Sequence, residues 1–303
     1  MGSLETDLIE EVRDWADLQR DVLSLIFQKL GGMEVLLTAQ GVCSSWNRLS
    51  YDPRIWRRID MRNSASILDS EYDLEKMARA ALDRSCGQCV EFSAEGFASN
   101  ELLEYLMEKV SVLKCFCLVS CHGISDDKLI EVAKKFPQLE ELEITFCSFS
   151  KEVLETVGQS CPQLKHLRLN RHGYKYGIEC DDEALAIAGN MPELRWLQLF
   201  GNNLSDDGLW AILDGCPHLE SLDLRRCYNV NMAGKLQKRC MDQIRDLKFP
   251  NDSTDDYEFD AELGGYVSYD EDYSSGFSEI DLLSAEMYYE LSDQEYDFSD
   301  YES

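Results

Sequence analysis

Several things are scarce in this 303-residue chain. It has no run of 18 apolar residues, so no helical membrane span is expected. Histidine occurs only four times, at His122, His166, His172 and His218, too scattered to make a Ser/His/Asp or Cys/His set. Basic residues form no stripe. The 29 Lys and Arg stand against 58 Asp and Glu, a formal charge of −29, which disfavours nucleic acid because its phosphates need neutralising. Residues 1–6 lack the basic and apolar regions of a secretory signal. Gly2 and Thr6 fit the loose myristoylation pattern, but no polybasic patch follows and one acyl chain anchors weakly, so no membrane partner is expected. A reducing nucleus and/or cytoplasm is the expected location, and the twelve Cys are read as thiols rather than disulfides. Cys86-x-x-Cys89 and Cys115-x-Cys117-x-x-x-Cys121 find no second Cys/His pair at a finger spacing, so no metal and no cofactor are expected.

What the chain does have is a hexapeptide, Leu-x-x-Leu-x-Leu, that returns through its second half. It starts at Leu113, Leu139, Leu164, Leu194, Leu219 and Ile244, at intervals of 26, 25, 30, 25 and 25 residues. A fixed period of this length is the signature of a leucine-rich-repeat solenoid. Within one unit, Leu142-x-Ile144 alternates as a short strand, and Val153, Leu154 and Val157 recur at helical spacing. Pro137, Pro162, Pro192 and Pro217 close the helices just before the next Leu. Ser125-Asp126-Asp127 and Ser205-Asp206-Asp207 are helix starts. A weaker unit, with Val90-x-Phe92 as strand and Leu102, Leu103 and Leu106 as helix, precedes the series, giving seven strands.

Three residues past each strand's last core position stand Cys121, Cys147, His172, Asn202 and Cys227. At this position a side chain turns inward and can bond turn backbone that would otherwise be buried unpaired. His172 is the departure. It opens the one long unit, where His172 to Gly177 bulge from the solenoid edge.

The head is different. Leu18, Val22, Ile26 and Leu30 lie four apart on one helical face, which Leu23 and Phe27 widen. Asp17 is placed to cap this helix and Gly31-Gly32 to end it. Val35, Leu36, Leu37, Ala39 and Val42 follow, then Cys43, Trp46, Leu49, Trp56, Ile59 and Met61. So small a unit should leave apolar surface for a partner.

Leu18-Gln19-Arg20-Asp21-Val22-Leu23-x-x-Ile26-Phe27-x-x-Leu30, with Val42-Cys43-x-x-Trp46-x-x-Leu49 and Ile55-Trp56, resembles an F-box. Followed by cysteine-type repeats, the order resembles the plant F-box/leucine-rich-repeat proteins over roughly residues 14–250, including the join from Leu74 to Ser85. The fold class implied is α/β: an N-terminal extension (1–13), a three-helix F-box (14–61), a linker helix (62–86), a short open solenoid of about seven units (87–250) and an acidic, disordered tail (251–303). The tail holds 18 acidic and no basic residues, leaving 40 against 29, or −11, elsewhere. Solvation is its simplest role. Recruitment of a basic partner, or phosphorylation near Ser292 and Ser299, is the functional one.

The resemblance implies a non-catalytic substrate receptor of an SCF-type cullin-RING ubiquitin ligase. Its partners are then the SCF adaptor, through it the cullin scaffold, and an unidentified protein substrate. Leu18, Val22, Leu23, Ile26 and Trp56 are the implied adaptor contacts. Gln19 stands where the family usually has Pro, which should weaken docking without abolishing it. A non-degradative scaffold or inhibitor built on the same solenoid is the alternative. On the concave strand face, Trp196 and Phe200 stand out among polar neighbours, with Arg168 and Arg225 one unit to either side. Aromatic and Arg side chains together are the composition of an interface hot spot, so these four are the expected substrate contacts. An open arc of seven units gives no enclosed small-molecule pocket.

Overall fold

The computed structural model describes residues 18–62, 72–173 and 177–259. The repeat produces one parallel sheet whose eight strands lie in chain order: β1 (Arg58–Met61), β2 (Glu91–Glu95), β3 (Cys115–Val119), β4 (Glu141–Thr145), β5 (His166–Asn170), β6 (Trp196–Gln198), β7 (Ser221–Asp223) and β8 (Asp246–Lys248). Corresponding hexapeptide positions are exact neighbours, as in Leu142↔Leu167 and Ile144↔Leu169. Each strand therefore stacks apolar side chain on apolar side chain, aromatic at Phe92 and Phe116 and leucine from β4 to β8.

Helices cover the other side of that leucine layer. They are α4 (Leu74–Ser85), α5 (Asn100–Lys109), α6 (Asp126–Lys135), α7 (Lys151–Ser160), α8 (Asp182–Asn190), α9 (Asp206–Gly215) and α10 (Gly234–Gln243). Each presents an apolar stripe, such as Val153, Leu154 and Val157 of α7, all buried. The expected capping is present: the Ser125 hydroxyl accepts from the Lys128 amide, and that of Ser205 from the amides of Asp207 and Gly208. Successive units are also stapled at these starts. Asn100, Asp126, Asp181 and Asp206 accept the backbone N–H of Ser125, Ser150, Ser205 and Asn231 in the following unit. Such bonds satisfy helix-end donors that would otherwise be orphaned.

The inward turn positions work as their chemistry suggests. Cys121 Sγ lies 3.2 Å from the Val119 carbonyl, Cys147 Sγ 3.4 Å from that of Thr145, and Cys227 Sγ 2.8 Å from that of Leu199. Asn202 Oδ1 accepts the Leu204 amide at 2.9 Å. Burial raises these thiols, Cys147 to about 12, which suits a structural and unreactive role. His172 is exposed instead and stacks on Phe146, ring centroids 4.4 Å apart. The bulge at 174–176 lies outside the described residues.

Two boundaries differ from expectation. Among the described residues the seven expected repeat strands are β2 to β8, and the sheet gains an eighth because the head's own C-terminal segment forms β1, with Ile59↔Phe92 and Met61↔Ala94 in register. The stretch read as a linker helix contains α4, the first helix of the solenoid wall, packed on the Pro53–Arg57 turn of the head. Head and solenoid thus share one core. At the other end, residues 251–259 do not leave the body as the start of a solvated tail. They fold back over the strands, because aromatic and basic side chains there offer partners for their own acids and rings. Residues 1–17, with Asp17 and Gly2, and everything from 260 onward lie outside the described residues. Among those described, no single helix is long and apolar enough to cross a membrane.

Candidate functional site

Two surfaces could carry function, one at each end of the shared core. The head comprises α1 (Arg20–Leu30), α2 (Gly32–Leu37) and α3 (Ser44–Leu49), followed by the Pro53–Arg57 turn. Helix α1 has two apolar sides. Leu23 and Phe27 turn inward, and Phe27 meets Trp46 edge-on at 5.4 Å. Val22 and Leu25 point out, 44% and 60% exposed, with Leu30 and Val42 also open to solvent and Leu18 and Ile26 half-buried. Sequence spacing had made Leu23 and Phe27 an extension of the Leu18–Leu30 face. Steps of four residues drift around a helix, and the side that meets the core is the Leu23–Phe27 side.

Two of the five implied adaptor contacts are therefore interior. Leu23 is buried, and Trp56 is wholly so. The Trp56 indole N–H donates to the Ser50 carbonyl at 2.8 Å, Gly32 packs against the ring, and the Arg84 guanidinium of α4 lies 5.6 Å from its centroid. A side chain so enclosed sets the shape of the head and offers no surface of its own. Asp52 caps the turn that holds it, accepting from the Arg54 amide and from the guanidinium groups of Arg54 and Arg20. The Arg54 bond, chiefly, keeps this carboxyl far below its ordinary range. Leu25, Leu30 and Val42 complete the open apolar side. Leu25 belongs to this exposed side although the sequence reading does not single it out, and its signal is the Val22-x-x-Leu25-Ile26 spacing.

The second surface is the concave face of the sheet. The structure gathers Arg168, Trp196, Phe200 and Arg225 on its strands β5 to β7 and the turns just past them. Arg168 lies 4.8 Å over the Trp196 ring and 3.1 Å from the buried Glu143 carboxylate. Gln198 donates to Asp223 at 3.2 Å, and Arg225 grips the same Asp223 with Nε at 3.0 Å and Nη2 at 2.7 Å. Asn170, Thr145 and Glu143 are linked in a chain of bonds of 3.0 and 3.1 Å. This floor is rigid: its charges are paired and largely buried, so they hold fixed positions.

Phe200 and Arg225 are not open to solvent, however, being only 1% and 2% exposed. Residues 253–259 lie on them. The Arg225 guanidinium donates to the Ser253 carbonyl at 3.0 Å and to the Asp256 carboxylate, which also takes Lys248 Nζ at 2.6 Å. Tyr257 stacks on Phe200, Glu258 meets Arg168 at 3.0 Å, and Phe259 stands edge-on to Phe146 at 5.6 Å. A cleft of about 250 Å³ remains beside this segment, floored by Trp196, Gln198, Ser221 and Asp223. Its walls are charged and its mouth is wide, unlike the largely apolar pockets that bury small ligands. No disulfide joins any of the twelve Cys, and no three His, Cys, Asp or Glu among the described residues converge as a metal group.

These features agree with the proteins the chain is similar to. A family model described as F-box-like matches residues 15–62, which is the head through the end of β1. F-box protein SKIP19 of Arabidopsis thaliana is 47% identical over 97% of this chain and 95% of its own length. Putative F-box/LRR-repeat protein 23 of the same plant is 46% identical over 81% of this chain and 55% of that one. Putative F-box/LRR-repeat protein 22, also from Arabidopsis, is 44% identical over 82% of this chain and 81% of its own.

Proposed function

This chain belongs to the plant F-box/LRR-repeat proteins, and from that premise we propose that it is the substrate-recognition subunit of an SCF-type cullin-RING ubiquitin ligase. The outward side of α1, with Val22 and Leu25 at its centre, docks on the SCF adaptor, which links the chain to the cullin scaffold. The concave face around Trp196, Arg168, Phe200 and Arg225 receives the protein to be modified. The chain supplies no bond-making chemistry in this role. It raises the effective concentration of a bound target near a charged ubiquitin-conjugating enzyme.

One observation supports this reading above the others: the head and the concave face belong to a single rigid sheet. β1 ends the F-box and pairs with β2, so the distance and angle between the two surfaces are set by strand ladders rather than by a linker. A receptor that must present its target at a fixed place needs such rigidity, whereas a tethered scaffold does not.

Tagged full-length chain expressed in plant cells should co-purify adaptor and cullin, and the Val22→Asp, Leu25→Asp double variant should lose both. Undiminished recovery by that variant would sink the ligase role and favour a scaffold or inhibitor built on the same solenoid.

A further inference from the structure

The concave face between β5 and β8 is partly covered by a segment of the chain itself, and we infer that this marks a peptide seat whose ligand is an acidic–Tyr–acidic–Phe sequence carried by the target protein. The inference rests on the receptor reading above and adds to it the class of ligand.

Each residue of the segment has its own place. The Asp256 carboxylate is held between the Arg225 guanidinium and Lys248 Nζ. The Tyr257 ring lies on Phe200, 3.8 Å between centroids and 1° between planes. Glu258 pairs with Arg168 at 3.0 Å, and Phe259 packs edge-on to both Phe146 and Tyr257 at 5.6 Å. Acid thus meets cation and ring meets ring at four successive positions. Arg168, Arg225 and Lys248 place positive charge at this one spot on a chain whose net charge is −29. The floor beneath them is fixed by Glu143 and Asp223, so the pattern of charge exists before a ligand arrives.

The resident segment is an imperfect ligand. Among the described residues the buried Tyr257 hydroxyl finds no hydrogen-bond partner. Loss of solvent, then Glu143, Glu258 and Asp223 nearby, push its ionisation far above the usual tyrosine range. A buried donor left unpaired weakens the complex that contains it. Its tether, which gives it an effective concentration of order millimolar, offsets this defect. A free ligand with the same charges and a better-satisfied ring can replace it. The same order of side chains recurs in the chain as Glu295-Tyr296-Asp297-Phe298, between different flanks, as a unit recognised for its own sake would.

The test uses the full-length chain with Tyr257→Ala, Phe259→Ala, Tyr296→Ala and Phe298→Ala, which removes both internal copies. A second emptied chain carries Asp256→Lys, Glu258→Lys, Glu295→Lys and Asp297→Lys. The probe is a fluorescent synthetic peptide with the sequence of residues 252–261, followed by anisotropy. It should bind either emptied chain at least about tenfold more tightly than the wild type, because no tethered competitor remains. Replacing its Tyr by Ala should weaken binding about tenfold or more, and replacing it by Phe should leave binding equal or tighter. Equal binding to wild-type and emptied chains, or no binding to both emptied chains at millimolar peptide, overturns the inference. All chains are also titrated with the SCF adaptor. Adaptor binding without peptide binding defeats the seat alone, while absent adaptor binding by the wild type defeats the receptor reading.

Discussion

The ring of Tyr257 lies flat on that of Phe200, with 3.8 Å between centroids. The two residues are far apart in sequence, one at the edge of a strand and one in what the sequence presents as a solvated acidic tail. Their contact closes the concave face over Arg225 and makes nine residues past the last repeat part of the folded body.

A chain ended at Pro250 should consequently melt lower than one ended at Phe259. Stripping the rings and acids from Phe200 and Arg225 exposes apolar area and leaves buried cationic donors short of partners, a loss of about 1–3 kcal/mol. For a folded body of this size that is a fall of several degrees in the midpoint, read by thermal circular dichroism. Coincident midpoints would mean that the segment adds no stability where it sits.

Trp56→Ala should destabilise the head by about 3–5 kcal/mol, since it empties the space of a fully buried ring and orphans the Ser50 carbonyl. Val22→Asp and Leu25→Asp change exposed positions and should each alter stability by no more than about 0.5 kcal/mol. Urea titration separates the two classes. Equal destabilisation by both would contradict the placing of the two sides of α1.

Much of this was legible beforehand, and the exceptions have physical causes. The hexapeptide period located β3 to β8 and the helices between them, the Val90-x-Phe92 alternation located β2, and the turn cysteines with Asn202 were readable because each repeat exposes the same backbone groups. β1 was not, because Ile59 and Met61 alternate over only four residues and no hexapeptide surrounds them. The side of α1 that faces the core was misjudged because apolar residues occupy both sides. The docked segment was invisible for another reason. A block of one charge reads as solvated unless the positions of opposite charge on a distant face are known, and Arg168, Arg225 and Lys248 come together only through the solenoid.

Gln19→Pro should raise stability by about 0.4–1 kcal/mol, through a stiffer unfolded chain. Gln19 stands just before α1 with φ −57°, inside the range proline adopts, and makes no side-chain cap. The unfolding midpoint in urea is the readout, and a fall would show that the Gln19 amide N–H is needed.

The acid limb of stability should carry the mark of Asp256. Lys248 first, then Arg225, hold its carboxyl down from 3.8 to about 2. A depressed carboxylate stabilises the folded state fully above its unfolded value and loses that effect as pH falls through its folded value. The gap in melting midpoint between the wild type and Asp256→Asn should therefore be constant from pH 7 to pH 5 and shrink from about pH 4 toward pH 2. A gap that persists unchanged at pH 2 would place its origin outside this ionisation.

The central claim is that one rigid body docks the SCF adaptor with its head and a target with its concave face, by separable residues. Calorimetric titration of purified adaptor into three full-length chains tests it most directly. The wild type and the Tyr257→Ala, Phe259→Ala variant should bind with the same affinity, while Val22→Asp with Leu25→Asp should weaken binding by about a hundredfold or more, because a charge forced onto a desolvated apolar contact costs several kcal/mol. Wild-type affinity in the head variant, or lost affinity in the concave-face variant, would contradict the account.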